Sequence, residues 1–275
     1  YMSHQGSTQK MNVSTRESTA HLLNKVPEVT LVFWLIKIMC TTVGETAADF
    51  LIFNLNFGMM LTSLLMVIPL VIFLVMQICH KKYVPWLYWV TVVLISIVGT
   101  LITDNLVDNL GVPLELTAIA FGILLLLTFA LWYASENTLS IHTIYTRRRE
   151  LFYWSAILFT FALGTAAGDL VAESLNLGYV ISAMIFGGLI GLVSMDYYVF
   201  KSNAVLSFWI AYILTRPFGA SIGDYLSQPA DIGGLGLSSI AINLIFLIAI
   251  LGLVRYLTLQ QRNAIPQRRG KDLKH

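Results

Sequence analysis

Charge is what this sequence has least of: Asp, Glu, Lys and Arg together make up 12% of 275 residues, while 57% are hydrophobic. A soluble globular domain carries about 25% charged residues, so the composition excludes one and indicates a polytopic membrane protein. Cysteine is nearly absent. Cys40 lies within the first apolar run and Cys79 at the end of the second, which rules out a disulfide framework. None of the five histidines falls inside an apolar run, so imidazole is not available there as a ligand or a base. No Ser-His-Asp constellation, metalloprotease helix motif or phosphate loop is present, and a non-enzymatic role is expected. Residues 1–28 are Ser- and Thr-rich and lack an apolar stretch; they read as a polar arm, disordered or briefly amphipathic, and not as a signal peptide.

What the chain has in quantity is apolar length. Mean hydropathy is +0.75, and eight runs, at residues 29–55, 58–79, 85–108, 113–134, 151–175, 179–200, 204–227 and 237–258, are each long enough to cross a hydrocarbon core of roughly 30 Å. Basic residues stay preferentially with cytoplasmic segments. Lys10, Arg16 and Lys25 precede the first run; Lys81, Lys82, Arg147, Arg148, Arg149 and Lys201 fall in alternate connections, and Arg262, Arg268, Arg269, Lys271 and Lys274 follow the last. The other connections have no Lys or Arg, so both termini are expected in the cytoplasm. The organisation is an arm (1–28), a four-helix half (29–134), a basic loop (135–150), a second half (151–258) and a basic tail (259–275). Topology and contact with anionic lipid account for the net charge of +2 without nucleic acid.

One template is written four times. Trp34, Trp89, Trp154 and Trp209 each follow an aromatic residue, are followed ten residues later by Gly44, Gly99, Gly164 and Gly219, and five further on by Asp49, Asp104, Asp169 and Asp224. An Asn- or Asp-x-Gly turn ends each copy. The tryptophans stand 55, 65 and 55 residues apart, which describes a two-helix unit duplicated twice. Two spans per unit make the repeats parallel, related by axes along the membrane normal. The fold class is therefore an all-α membrane protein of eight helices. The odd-numbered ones hold nearly every intramembrane charge, so they are expected around a centre with the even ones outside.

Helix rise puts each Gly about 15 Å and each Asp about 22 Å beyond its Trp. With Trp in the cytoplasmic aromatic belt, the four Asp share a level in the outer half of the membrane. Glu45 and Asp49, Asp104 and Asp108, and Asp169 and Glu173 are spaced i, i+4, which stacks them on an α-helix. With Asp224 they form an expected lining of seven carboxyl groups, opposed by Lys37 and Arg216. An acid at that depth costs roughly 2.5–3.5 kcal/mol, relieved by a proton, by a basic partner or by a bound cation. Arg216 lies seven residues past its Trp and is expected to reach Glu45. The pairs Gly44/Ala48, Gly99/Thr103, Gly164/Gly168 and Gly219/Gly223 are small-xxx-small patterns for close helix contact, the tryptophans read as belt anchors, and the turn glycines as left-handed helix C-caps. Gly168-Asp169 and Gly223-Asp224 resemble part of the motif of intramembrane aspartyl proteases, but the Gly expected two positions earlier is Ala166 or Ser221.

The segments at 139–170 and 25–50, LSIHTIYTRRRELFYWSAILFTFALGTAAGDL and KVPEVTLVFWLIKIMCTTVGETAADF, resemble a family of uncharacterised bacterial multi-pass "membrane-anchored" proteins, some catalogued as efflux pumps. That resemblance implies a bacterial inner-membrane location and export of a metal or other cation. The residues themselves lead to a cation transporter exchanging a divalent ion for protons. Glu45, Asp49, Asp104, Asp169 and Asp224 would ligate the ion; Asp108 and Glu173 would extend the lining, and Lys37 and Arg216 would act as internal counter-charges. Oxygen donors suit Mn²⁺, Mg²⁺ or Ca²⁺. Its partners would be the bilayer, the cation and protons, with the oligomeric state open. The alternatives are a non-transporting sensor or assembly module and a cation-selective channel.

Overall fold

The computed structural model describes residues 24–54 and 58–272, with side chains as far as residue 263. Eight helices run in order: α1 (Leu31–Asp49), α2 (Met59–Cys79), α3 (Pro85–Asp104), α4 (Leu114–Glu136), α5 (Arg147–Asp169), α6 (Tyr179–Met195), α7 (Ala204–Ser227) and α8 (Ser239–Asp272). All eight are long and apolar enough to span a membrane, which makes the chain a multi-pass membrane protein of four helix pairs. The segment 259–275, expected as a tail, continues α8 as far as Asp272.

Local sequence sets where the odd helices begin. The Thr30 hydroxyl accepts from Phe33 N, Thr146 from Arg149 N, and Asn203 from Val205 N and Leu206 N, each meeting orphan donors of a first turn. Pro85 starts α3, where its missing N–H is no loss. Two of the four connecting glycines do not cap the preceding helix as expected. Gly58 and Gly178 have φ of 70° and 77° with ψ near 160° and are N-caps of α2 and α6. Gly111 (φ 67°) and Gly233 (φ 94°) do follow their segments with a positive φ, Gly111 with Val112 N donating back to Leu106 O at 2.9 Å and Gly233 behind a short 3₁₀ turn. Asn56 and Phe57 of the first turn lie outside the described residues.

The odd helices are inner and the even ones outer. Over the most apolar stretch of each, 56–61% of an odd helix is buried, against 11–22% of an even one. The outer faces show Leu64, Leu126 and Leu251 at 60%, 68% and 64% exposure, a surface suited to lipid. The inner helices form a closed ring in which α1 touches α3, α3 touches α5, α5 touches α7 and α7 touches α1. Each outer helix packs mainly on the inner helix of the next repeat: α2 on α3, α4 on α5, α6 on α7, and α8 back on α1.

Two sets of contacts give the ring its fourfold character. The aromatic residue before each Trp meets the Trp of the next copy: Phe33 and Trp89 at 5.5 Å between centroids, Tyr88 and Trp154 at 5.5 Å, Tyr153 and Trp209 at 6.2 Å, Phe208 and Trp34 at 5.7 Å. Trp89, Trp154 and Trp209 are at most 4% exposed. They are interior packing residues and not belt anchors; the paired aromatic preceding each one gives it a neighbour inside the protein. The second set involves the template glycines. A Cβ on Gly44, Gly99, Gly164 or Gly219 would lie 2.6, 2.6, 2.6 or 2.7 Å from the Cβ of Ser96, Phe161, Arg216 or Thr41. These four residues share one template position, seven after Trp, so every Gly receives the same knob from the next helix.

Candidate functional site

From the Trp end inward the ring is shut. Phe33, Tyr88, Tyr153 and Phe208 are buried at the level of the tryptophans, with the Tyr88 and Tyr153 hydroxyls 2.5 Å apart. Beneath this plug, residues 24–26 do not behave as the polar arm expected of 1–28. Asn24, Lys25 and Val26 are buried; Lys25 N donates to Ile144 O at 2.9 Å, and Lys25 Nζ donates to Glu150 Oε2 at 2.6 Å and Ile78 O at 3.0 Å. The rest of that arm, residues 1–23 with Lys10 and Arg16, lies outside the described residues. Nearby, Arg149 binds Glu136 at 2.7 Å and Thr143 O at 3.0 Å, tying the basic loop to the end of α4.

Lys37 lies one turn above the plug. It is fully buried, and its Nζ sits over the rings of Phe161 at 4.3 Å and Tyr212 at 4.2 Å without a hydrogen-bond partner. Tyr212 occupies the position in the fourth copy that Lys37 occupies in the first, three residues past Trp.

Arg216 forms the next layer. It is fully buried, and its Nη2 donates to Glu45 Oε2 at 2.7 Å, to Thr165 Oγ1 at 2.7 Å and to Thr100 Oγ1. The expected Arg216–Glu45 pair is present. Its hydroxyl partners went unnoticed in the sequence, although the signal was there: the residue after the template Gly is Glu45, Thr100, Thr165 and Ala220 in the four copies. One guanidinium from copy four is thus held by the equivalent residues of the other three. Pro217 lies inside α7 on the side that packs against Gly164 and Gly168 of α5, and on the α1 side Thr41 Oγ1 and Thr42 Oγ1 donate to Thr215 O and Gly219 O at 3.3 and 3.0 Å. Gly223 of α7 packs against Glu45, and a Cβ added at Gly223 would lie 3.2 Å from Glu45 Cβ.

Above Arg216 the acids converge. One carboxylate oxygen from each of Glu45, Asp169 and Asp224 lies within 4.8 Å of the other two, which joins α1, α5 and α7 across the axis. An all-oxygen set at this spacing fits a hard or borderline cation better than a soft one. The other two expected ligands stand outside this triad. Asp49 accepts from Gln228 Nε2 at 3.0 Å, and Asp104 lies within electrostatic range of Glu45, Asp49 and Asp169.

Asp108 and Glu173 stand at the end of the expected lining farthest from the tryptophans. After Asp49, Asp104 and Asp169 the backbone widens into π turns, Phe50–Asn54, Asn105–Asn109 and Leu170–Ser174. Asp108 and Glu173 are exposed at the ends of two of these turns, still within electrostatic range of Asp104 and Asp169 respectively. Glu173 accepts from Tyr179 Oη at 3.2 Å. The fourth copy has no π turn because Pro229 forces Gln228 into an extended conformation, ψ 151°, and the helix stops at Ser227. Cys40 belongs to the apolar core beside the aromatic plug and is not one of the acid triad.

The sequence matches the family described as "Repeat of Unknown Function (DUF347)" four times, at residues 32–83, 87–138, 152–203 and 207–263. Each match begins two residues before a template Trp. The chain belongs to this family. That membership establishes the four repeats and carries no efflux activity with it. No curated protein and no solved structure matches the chain.

Proposed function

We propose that this four-repeat member of the family is a cation transporter, moving a divalent ion in exchange for protons along the axis of the inner ring. The observation that carries the reading is the convergence of Glu45, Asp169 and Asp224 directly above an arginine that already holds Glu45. Intramembrane acids of this density are costly unless they serve a path. A cation entering the triad competes with Arg216 for Glu45, and that competition links occupancy to the inner layers. Asp49 and Asp104 stand beside the triad as relay or auxiliary ligands, and Asp108 and Glu173 stand at its mouth as an acidic entrance.

The direction of the helices supports this reading. Neighbouring inner helices touch Trp end to Trp end and Gly to the same knob position, as parallel repeats would. Basic residues at the Trp-end connections favour a cytoplasmic location for that end and for both termini, in a bacterial inner membrane. In that orientation the aromatic plug closes the cytoplasmic side while the acids are nearer the outer surface, an arrangement suited to alternating access and unlike a continuous channel. A purely structural role for Glu45 has one point in its favour, since Arg216 and Thr100 already donate to it. It leaves the approach of Asp169 and Asp224 without a reason.

Reconstituted protein separates the readings. Uptake of Mn²⁺, Mg²⁺ and Ca²⁺ into liposomes should reveal flux of at least one ion, lost in Glu45→Gln and Asp169→Asn/Asp224→Asn proteins that remain monodisperse. Absence of flux for all three ions, or full flux in those variants, refutes the proposal.

A further inference from the structure

The two buried basic residues of the ring are held in different ways. Arg216 has a carboxylate and two hydroxyls; Lys37 has two aromatic faces and no acceptor, although an ammonium offers three N–H donors. Both lie against Phe161, at 4.3 Å for Lys37 Nζ and 5.7 Å for the Arg216 guanidinium carbon. The groups facing Lys37 supply no anion among the described residues. Its own helix offers Cys40, α7 offers Tyr212 and Arg216, and α5 offers the Phe161 ring. Arg255 of α8 is exposed. The nearest acid along α1 is Glu45, eight residues away and engaged by Arg216.

Chemistry divides the two. A guanidinium stays protonated in proteins, whereas a lysine can pass between ammonium and amine. When a divalent cation enters Glu45, Asp169 and Asp224, it takes the charge of Glu45 away from Arg216. The enclosed layer then holds a fixed guanidinium, an incoming double charge and Lys37. Only Lys37 can shed its positive charge there, by releasing one proton and becoming an amine; it takes the proton back when the cation leaves. A ring face serves both forms: it attracts the ammonium and packs against the neutral amine without leaving a buried charge behind.

We infer that Lys37 is the residue that carries the exchanged proton, placed by its burial over Phe161 and Tyr212 without an acceptor. The inference rests on the transport reading above. It is tested in liposomes enclosing a pH-sensitive dye, using whichever of Mn²⁺, Mg²⁺ or Ca²⁺ the wild-type protein moves. Wild type should move protons against the cation. Lys37→Met and Lys37→Gln should still pass the cation down its own gradient, within severalfold of wild type, while proton movement falls to that of empty liposomes. An imposed pH gradient should no longer drive accumulation in either variant. Several results overturn the inference: wild-type cation flux with no proton counterflow, variants that exchange protons at the wild-type ratio, or folded variants that lose cation and proton flux together. The second leaves the transport reading standing, and the first keeps cation transport but removes proton exchange from it. A wild-type protein that moves no ion ends both.

Discussion

The Arg216–Glu45 pair gives the sharpest test of how the ring core is held. Glu45→Gln keeps the side-chain volume and removes the negative charge, leaving a fully buried guanidinium with two hydroxyls for partners. Two of its nitrogens, Nε and Nη1, already have no acceptor, so the arrangement has no reserve with which to compensate. Breaking one side of a buried ion pair costs roughly 3–5 kcal/mol. In a membrane protein the unfolded reference also finds partners, and measured polar contacts run nearer 1–2 kcal/mol, so the lower end is expected. Arg216→Met alone leaves Glu45 beside Asp169 and Asp224 and should cost a similar amount. The double variant removes both charges and should recover most of the loss, because replacing a whole buried pair by neutral groups is often close to neutral. The measurement is a double-mutant cycle on unfolding in detergent micelles, run also in an Asp169→Asn background that removes a carboxylate able to take over from Glu45. Additivity of the two singles within about 0.5 kcal/mol in both backgrounds would show that the pair does not hold the core together.

The knob-and-glycine geometry predicts a graded response. Gly164→Ala sets a methyl group 2.6 Å from Arg216 Cβ and 3.0 Å from Pro217 Cδ; neither can yield without moving α7, so destabilisation of about 1–3 kcal/mol is expected. Gly188→Ala, which meets nothing within 4 Å, should be silent in the same thermal-unfolding assay, and equal effects at the two positions would contradict the packing described. Tryptophan environment can be read separately. Of the six tryptophans, Trp86 is 46% exposed and Trp89, Trp132, Trp154 and Trp209 are at most 4% exposed. Trp34 is half-buried, so brominated lipid should quench a fluorescence component that shrinks in Trp86→Phe and disappears in Trp34→Phe/Trp86→Phe, and unchanged quenching in the double variant would place the other template tryptophans at the lipid surface after all.

The period of the sequence was enough to find the repeats, the inner and outer helices and the level of the acids, because equivalence between copies is written in residue spacing. It did not show which neighbour each residue faces. Tryptophan at the end of an apolar run normally suggests an interfacial anchor, and only ring closure reveals that Phe33, Tyr88, Tyr153 and Phe208 each cover the Trp of the next copy. The π turns after Asp49, Asp104 and Asp169 stayed hidden for a different reason: they are made by backbone hydrogen bonds such as Leu110 N to Asn105 O, which side-chain spacing does not record. Glu150 escaped notice because it sits among three arginines at a span edge, where a loop partner such as Arg149 was a more obvious match than Lys25, 125 residues away.

The fourfold packing also explains why the chemistry sits where it does. Position seven after Trp must fill the glycine groove of the preceding helix, and Thr41, Ser96, Phe161 and Arg216 all do so with their Cβ atoms. Beyond Cβ the position is free to differ. In copy four the stem that packs on Gly164 also aims a guanidinium at the axis, so its placement is fixed by the contact that closes the ring. Copy one supplies the answering departures, Glu45 where other copies have Thr or Ala, and Lys37 where they have Val92, Ile157 or Tyr212. These residues meet at the α7–α1 contact, where the last repeat returns to the first. A strict fourfold ring would give each acid the same surroundings and no preferred partner. Departures in the first and last copies give Glu45 one arginine and leave Lys37 without an acid, and the proposed cation-for-proton exchange is built on that asymmetry.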